Sequence, residues 1–343
     1  MKTLRNAVIG IFAGLILMIS CKKSDIALPK SEANIDSITS KYYEGYLKMY
    51  PLEATMQGDS RYNDLLSDNI SNEFISKEIE FYTDTQKKLK SIEYDDLSDE
   101  QKTVYDVLDY TLKDKIERYA YHPELLPFSQ FEGLPLDFPL LGSAEGNQPF
   151  KTTQDYDNWL KRIDAFVIWM NTAEKNFREG MKQNVVLPKK LVVKMIPQMH
   201  SEEIITEDFD KNIFYGPIKK MPKNFSTKDK EKYKILYQEA ISSKIIPAYQ
   251  KMGDFLEKEY LPKARNTDGI NALPNGKNIY EYYAKSWTTT NKTPEEINKI
   301  GLQQVAMLRA EMEKVKTQLG FKGSLEQFLT SLKTDKKAMR SEE

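Results

Sequence analysis

Two histidines and a single cysteine leave this chain few ways to do chemistry. The cysteine, Cys21, closes the tetrapeptide Met18-Ile19-Ser20-Cys21, which has the form of a lipobox. Such boxes usually carry Leu three residues before the cysteine, and Met18 departs from that. Small Ser20 suits a cleavage site. A thioether-linked diacylglycerol and an N-acyl chain on Cys21 would anchor the protein. Each buried methylene is worth roughly 0.8 kcal/mol, and two or more chains hold a protein stably on a membrane. The histidines offer less. His122 precedes Pro123, where extended backbone is favoured. His200 leads Ser201-Glu202-Glu203, not the spacing that sets two imidazoles around zinc on one helix face. The sequence contains no Gly-x-Ser-x-Gly elbow, phosphate loop or Gly-rich dinucleotide turn.

Paired acids recur at Asp95-Asp96, Glu202-Glu203, Glu295-Glu296 and Glu342-Glu343. In a chain that is 29% charged, such pairs read as solvated faces. Glu295-Glu296 also has a sufficient role at a helix start, where acids meet the positive end of the dipole. The aromatic set Tyr280, Tyr282, Tyr283 and Trp287, followed by Thr288-Thr289-Thr290, is denser. Together with Thr289 it could line a groove for a peptide or a sugar. Packing in a core or an interface explains the same residues more simply, and both readings stay open here.

These residues need a frame. Lys2 and Arg5 precede the uncharged run Ala7 to Ile19, about 13 residues long, which suits a signal-peptide core. A membrane-spanning helix needs about 20. Residues 1–20 therefore read as a signal peptide, and 21–35 as lipid anchor and polar tether. With Cys21 taken by lipid, no disulfide framework is available. Lys+Arg is 50 against Asp+Glu 51, a balance that does not favour nucleic acid.

Beyond residue 35 helical periods dominate. Apolar residues recur at spacings of three and four over Ile35 to Met49, with Pro51 as a stop, and over Phe74 to Leu89. Ser98-Asp99-Glu100-Gln101 is a capping box ahead of Val104, Leu108, Leu112 and Ile116. Tyr156 to Phe177 forms a strong amphipathic pattern. Tyr233 to Tyr260 forms a longer one, with a kink expected near Ile246 because Pro247 lacks a donor and crowds the preceding turn. Thr293-Pro294-Glu295-Glu296 opens a helix that Gly320 ends. Ser324-Leu325-Glu326-Gln327 caps another, so the chain stops within what reads as an unfinished domain. His122 to Pro149 carries five prolines and three glycines, enough to exclude a helix, yet is rich in Leu and Phe. It reads as an irregular segment packed on the body, either a structural belt or a functional loop. Asn184 to Pro188 and Lys285 to Thr290 are the candidate short strands. The fold class is mainly α, a helical bundle with a Pro-rich irregular segment and a few short strands.

Several stretches occur in an order that resembles the bacterial family called domain of unknown function 885. They are Tyr50-Pro51-Leu52-Glu53-Ala54-Thr55-Met56-Gln57-Gly58-Asp59, Leu187-Pro188-Lys189, Ile246-Pro247-Ala248-Tyr249 and Glu259-Tyr260-Leu261-Pro262-Lys263-Ala264-Arg265. Leu273-Pro274-Asn275-Gly276, Tyr282-Tyr283, Thr288-Thr289-Thr290, Thr293-Pro294-Glu295-Glu296-Ile297, Ile300-Gly301-Leu302, Glu311-Met312 and Gly320-Phe321-Lys322-Gly323-Ser324 follow. The resemblance runs from about residue 36 to the end. It implies the N-terminal half of a helical zincin-type peptidase, with residues 36–343 as an incomplete domain forming one wall of a substrate cleft. In the family the metal motif lies further along, a His-Glu followed by Pro-Gly-His and a later Glu. No position here matches it, and Asn298 stands where the family often has His. No catalytic or metal residue is carried over, and no cofactor is expected in this chain, with zinc expected for a longer member. The implied partners are a membrane through Cys21, a peptide substrate, and a missing C-terminal half packed against this one. The implied location is the cell envelope, periplasmic or at the cell surface.

A different class of function also fits, a non-enzymatic lipoprotein that binds peptides or glycans. In a third, the chain does not fold stably alone, because apolar faces such as Trp159/Phe166/Phe177 lack partners. The anchor can be checked directly. Cys21→Ser is expected to abolish incorporation of labelled fatty acid and to release the protein from membranes. Retained label in that variant would refute the lipobox.

Overall fold

The computed structural model describes residues 34–334. The leader, Cys21 and the tether as far as residue 33 lie outside those residues, and the end of the tether, Asn34 and Ile35, already belongs to the first helix. Within them, helices begin at the caps written in the sequence. Asn34 accepts from the Asp36 N–H at the head of α1 (Ile35–Met49). Pro51 both stops α1 and opens α2 (Pro51–Met56), in a first turn where its missing N–H leaves nothing unpaired. Ser71 caps α3 (Asn72–Leu89), and the Ser98/Gln101 box heads α4 (Asp99–Arg118) with both reciprocal bonds formed. Helices α1, α3 and α4 share a small core of Ile35, Ile38, Tyr82, Leu89, Leu108 and Leu112.

The Pro-rich segment corrects the expectation of no helix. Leu134–Gly142 forms α5, with Pro135 in its first turn and Pro139 inside it. Pro139 cannot donate to the carbonyl four residues back, that of Pro135. The buried Tyr249 hydroxyl donates to this oxygen instead, at 2.7 Å. A tertiary donor replaces the lost helical one, so the backbone account closes. Phe138, on the same helix, stacks on Phe166 and Trp159 at ring separations of 4.0 and 4.6 Å.

Those partners belong to α6 (Thr153–Lys182), the spine of the larger core. Trp159, Phe166 and Phe177 are fully buried, which corrects the expectation that this face would lack a partner. Around α6 stand α7 (Lys189–Met199), the short α8 (Glu202–Ile205) and α9 (Gly216–Lys219), α10 (Thr227–Ala240) and α11 (Ile246–Phe255). The break expected near Ile246 takes the form of a π-helical turn, Ile241–Ile245, in which the Ile246 N–H reaches back to Ile241 O. A second π turn, Leu256–Tyr260, precedes Pro262 in the same way. Widening the turn ahead of each proline relieves crowding without ending the rod.

Lys285 to Thr290 is not extended. Residues through Thr288 complete α12 (Gly276–Thr288), which docks on α4. The Tyr110 hydroxyl donates to Lys285 O, the Tyr282 hydroxyl donates to Asp114 O, and Lys285 Nζ lies 2.8 Å from Glu117. These contacts outweigh the β preference of the Thr run. Thr289 ends the helix at φ 52°. Among the described residues, extended pairing is confined to one isolated bridge, Pro188 with Arg265. The last helices are α13 (Pro294–Gln318), headed by the Thr293/Glu296 box, and α14 (Leu325–Thr334). None of the residues of α13 is buried.

A buried cation ties α6 to α2 and the loop that follows it. Arg162 of α6 is fully buried, and among the described residues no carboxylate is hydrogen-bonded to it. Its guanidinium donates to Leu65 O at 2.9 Å, Tyr62 O at 3.1 Å, Thr55 Oγ1 at 2.7 Å and Pro51 O at 3.4 Å, and also to Gln148 Oε1. Burial lowers its pKa to about 10. Further along α6, Trp169 donates to Asn69, Thr172 to Asp68 and Asn176 to Ile70 O. Arg162→Ala is expected to cost about 3 kcal/mol or more, because several buried acceptors lose their donor together. Urea unfolding measures this, and a loss under about 1 kcal/mol would remove Arg162 from that role.

Candidate functional site

The ladder on α6 sets one wall of a cavity of about 620 Å³. Asn69, Ile70 and Trp169 form that wall. Tyr50, Arg118, Tyr119 and Tyr121 close it from the N-terminal bundle, and the Pro-rich segment from His122 to Asp137 crosses it. Ile279 and Tyr283 of α12 complete the lining. The volume is in the range of small-molecule and peptide side-chain sites.

One edge rests on a buried carboxylate. Glu78 of α3 is 1% exposed and accepts from three phenols. The hydroxyls of Tyr50 and Tyr82 donate to its Oε1, and that of Tyr119 to its Oε2. Burial, then the Glu78 charge, holds the phenols of Tyr50 and Tyr82 well above the usual tyrosine range. Tyr119 is raised by burial and by its bond to Glu78. Two of the three, Tyr50 and Tyr119, present ring surface to the cavity, so Glu78 fixes that wall from behind.

A second part of the lining is acidic. His122 stands at φ 51° and ψ 53°, left-handed and not extended as expected before a proline. It ends the 3₁₀ turn Tyr119–Tyr121 that continues α4, a place where left-handed residues stop helices. Its Nδ1 lies 2.9 Å from Glu124 Oε1. The other oxygen, Glu124 Oε2, is buried without a hydrogen-bond partner among the described residues. Asp137, in the first turn of α5, is raised above its ordinary range by burial and then by Glu132. Aromatic walls with carboxylates at one end can hold a ligand that is partly apolar and carries donors or positive charge.

The aromatic set of α12 does not form one surface. Tyr283 lines the cavity. Tyr282 is buried, with Tyr121 stacked on it at 4.8 Å. Tyr280 and Trp287, 47% and 85% exposed, point to solvent, and Thr289 is exposed at the end of the helix. Cys21 lies outside the described residues. Sequence reading missed Glu78, Tyr50, Tyr119, Trp169, Glu124 and Asp137 as a group. Only the apolar, proline-rich character of the segment after His122 pointed toward this place.

Residues 51–343 match the model of a family described as "Bacterial protein of unknown function (DUF885)". Among solved structures, the chain is similar to a crystal structure described as "the putative lipoprotein from Colwellia psychrerythraea". The TM-score is 0.70 at 18% identity, over 88% of this chain. The match spans 54% of that chain. No curated protein matches.

Glu78→Gln is expected to destabilise the chain by about 1–3 kcal/mol, since one amide cannot replace a carboxylate shared by three donors. Urea unfolding of the native chain and the variant measures this, and equal stabilities would rule out the cage.

Proposed function

The chain belongs to the bacterial DUF885 family, and from that membership we propose that it is the substrate-facing half of a zinc-dependent peptidase, held in the cell envelope by lipid on Cys21. The observation that carries this reading is an uncovered apolar face on α13, the helix that follows α12 in the chain. Helix α12, which lines the cavity, leads directly into α13. There Leu302, Val305, Leu308, Met312, Val315 and Leu319 are 42–67% exposed along one helix. Contiguous apolar surface of this kind marks an interaction site. The similar solved structure is of a longer chain, and on this reading a further segment would cover α13.

Zinc does not fit the cavity lining. It offers one imidazole, His122, already engaged with Glu124. The one His/Asp/Glu trio found among the described residues, His200, Asp254 and Glu257, lies outside that lining. On this reading the metal belongs to the segment that longer family members carry. The residues here bind and orient. Tyr50, Tyr119, Trp169 and Tyr283 would take apolar side chains of a peptide, and Glu124 and Asp137 its donors. Capture of a peptide or glycan without hydrolysis is the second reading. It is favoured by that same lining, which recognises but contains no set of metal ligands.

The test is peptide hydrolysis by the product of the full reading frame, with and without a zinc chelator. Chelator-sensitive cleavage is expected, and Tyr283→Ala should raise KM about tenfold or more while leaving kcat within a few-fold. Peptide binding without cleavage by the full product, unaffected by chelator, would establish capture in its place.

A further inference from the structure

Away from the cavity, three potential ligands converge at the junction of α7 and α11. His200 follows the last residue of α7, and its imidazole lies directly over Gly253 of α11. A Cβ at Gly253 would stand 2.4 Å from Nε2. Glycine is a poor choice inside a helix, and here the imidazole explains it. Asp254 and Glu257 follow three residues apart, where α11 passes into its π turn, so both carboxylates emerge on the side that faces His200.

One ligand atom from each of the three residues lies within 4.8 Å of the other two. The Nε2 of His200 and Oδ1 of Asp254 are 3.9 Å apart, too far for a hydrogen bond. Two ligands on one tetrahedral ion at about 2.0–2.2 Å stand roughly 3.4 Å apart. Closing by about half an ångström brings His200 and Asp254 to that spacing, and a rotamer adjustment of Glu257 closes the third side. Lys258 holds the other Asp254 oxygen at 2.9 Å, leaving Oδ1 turned to the imidazole.

We propose that His200, Asp254 and Glu257 form a surface site for a divalent transition-metal ion, distinct from any metal of the peptidase reading. An imidazole with two carboxylates selects zinc or a neighbouring first-row ion over calcium or magnesium, which prefer oxygen alone. The site braces the end of α7 against α11 and leaves the remaining coordination positions to solvent.

The chain has only two histidines, which makes the assignment simple to test. Zinc chloride is titrated into the full chain by calorimetry, and cobalt binding is followed by visible absorption. The native chain and His122→Ala are expected to bind one equivalent that His200→Ala and Asp254→Asn lose, or bind at least about tenfold more weakly. Asp254 is half exposed, so its variant reads the site even if His200→Ala disturbs packing. Absence of zinc binding, or equal binding by the native chain and Asp254→Asn, would overturn the proposal. Neither result bears on the cavity, because no residue of this trio lines it.

Discussion

Burying a guanidinium without a carboxylate is a severe constraint, and much of this structure is arranged around Arg162. Desolvation of a cation is tolerable only when its donors are matched. Here the match comes from backbone carbonyls of residues 51, 62 and 65 and from Thr55 and Gln148, far away in sequence. Those acceptors converge only if the loop after α2 is laid along α6. Once it is, Asn69 and Ile70 reach the cavity wall, and Tyr50, at the junction of α1 and α2, is brought up to Glu78. The cavity therefore inherits its shape from a contact outside its lining.

The same accounting explains how helices persist through prolines. A proline removes a donor and crowds the carbonyl four residues earlier. At Pro139 the stranded oxygen finds Tyr249, and at Pro247 and Pro262 the turn ahead widens to π geometry. Tyrosine hydroxyls serve repeatedly as cross-helix donors. Tyr156 reaches Pro217 O, Tyr233 reaches Thr153 O, and Tyr282 reaches Asp114 O. Each ring adds apolar burial and each hydroxyl closes a backbone group, which gives the abundance of tyrosine a structural meaning.

The molecule is unevenly finished. Around α6 the aromatic core is closed, whereas α13 shows an apolar row to solvent. A fold that buries its apolar faces around α6 and leaves one long amphipathic helix uncovered is suited to receive another body there. That asymmetry places the open face on the element that follows α12, and it is the physical basis for the proposed reading.

The sequence by itself determined the helices whose starts are capped locally. Caps at Asn34, Ser98, Thr293 and Ser324 are local, because each side chain bonds a backbone group two or three residues away. Periods of three and four located α1, α3, α6 and α13, and the ordered motifs located the family, for the same reason. Tertiary structure alone decided the rest. Whether Leu134–Gly142 is helical depends on Tyr249, 114 residues from the carbonyl it serves. Whether Lys285 is helical depends on α4, and whether Glu78 is a solvated acid or a caged one depends on tyrosines from three segments. The aromatic set of α12 was legible as a cluster, but its division between cavity, core and solvent follows from the face that α4 covers. Local hydrogen bonds are written in neighbouring residues; the pairing of buried polar groups is written only in the packing that brings distant ones together.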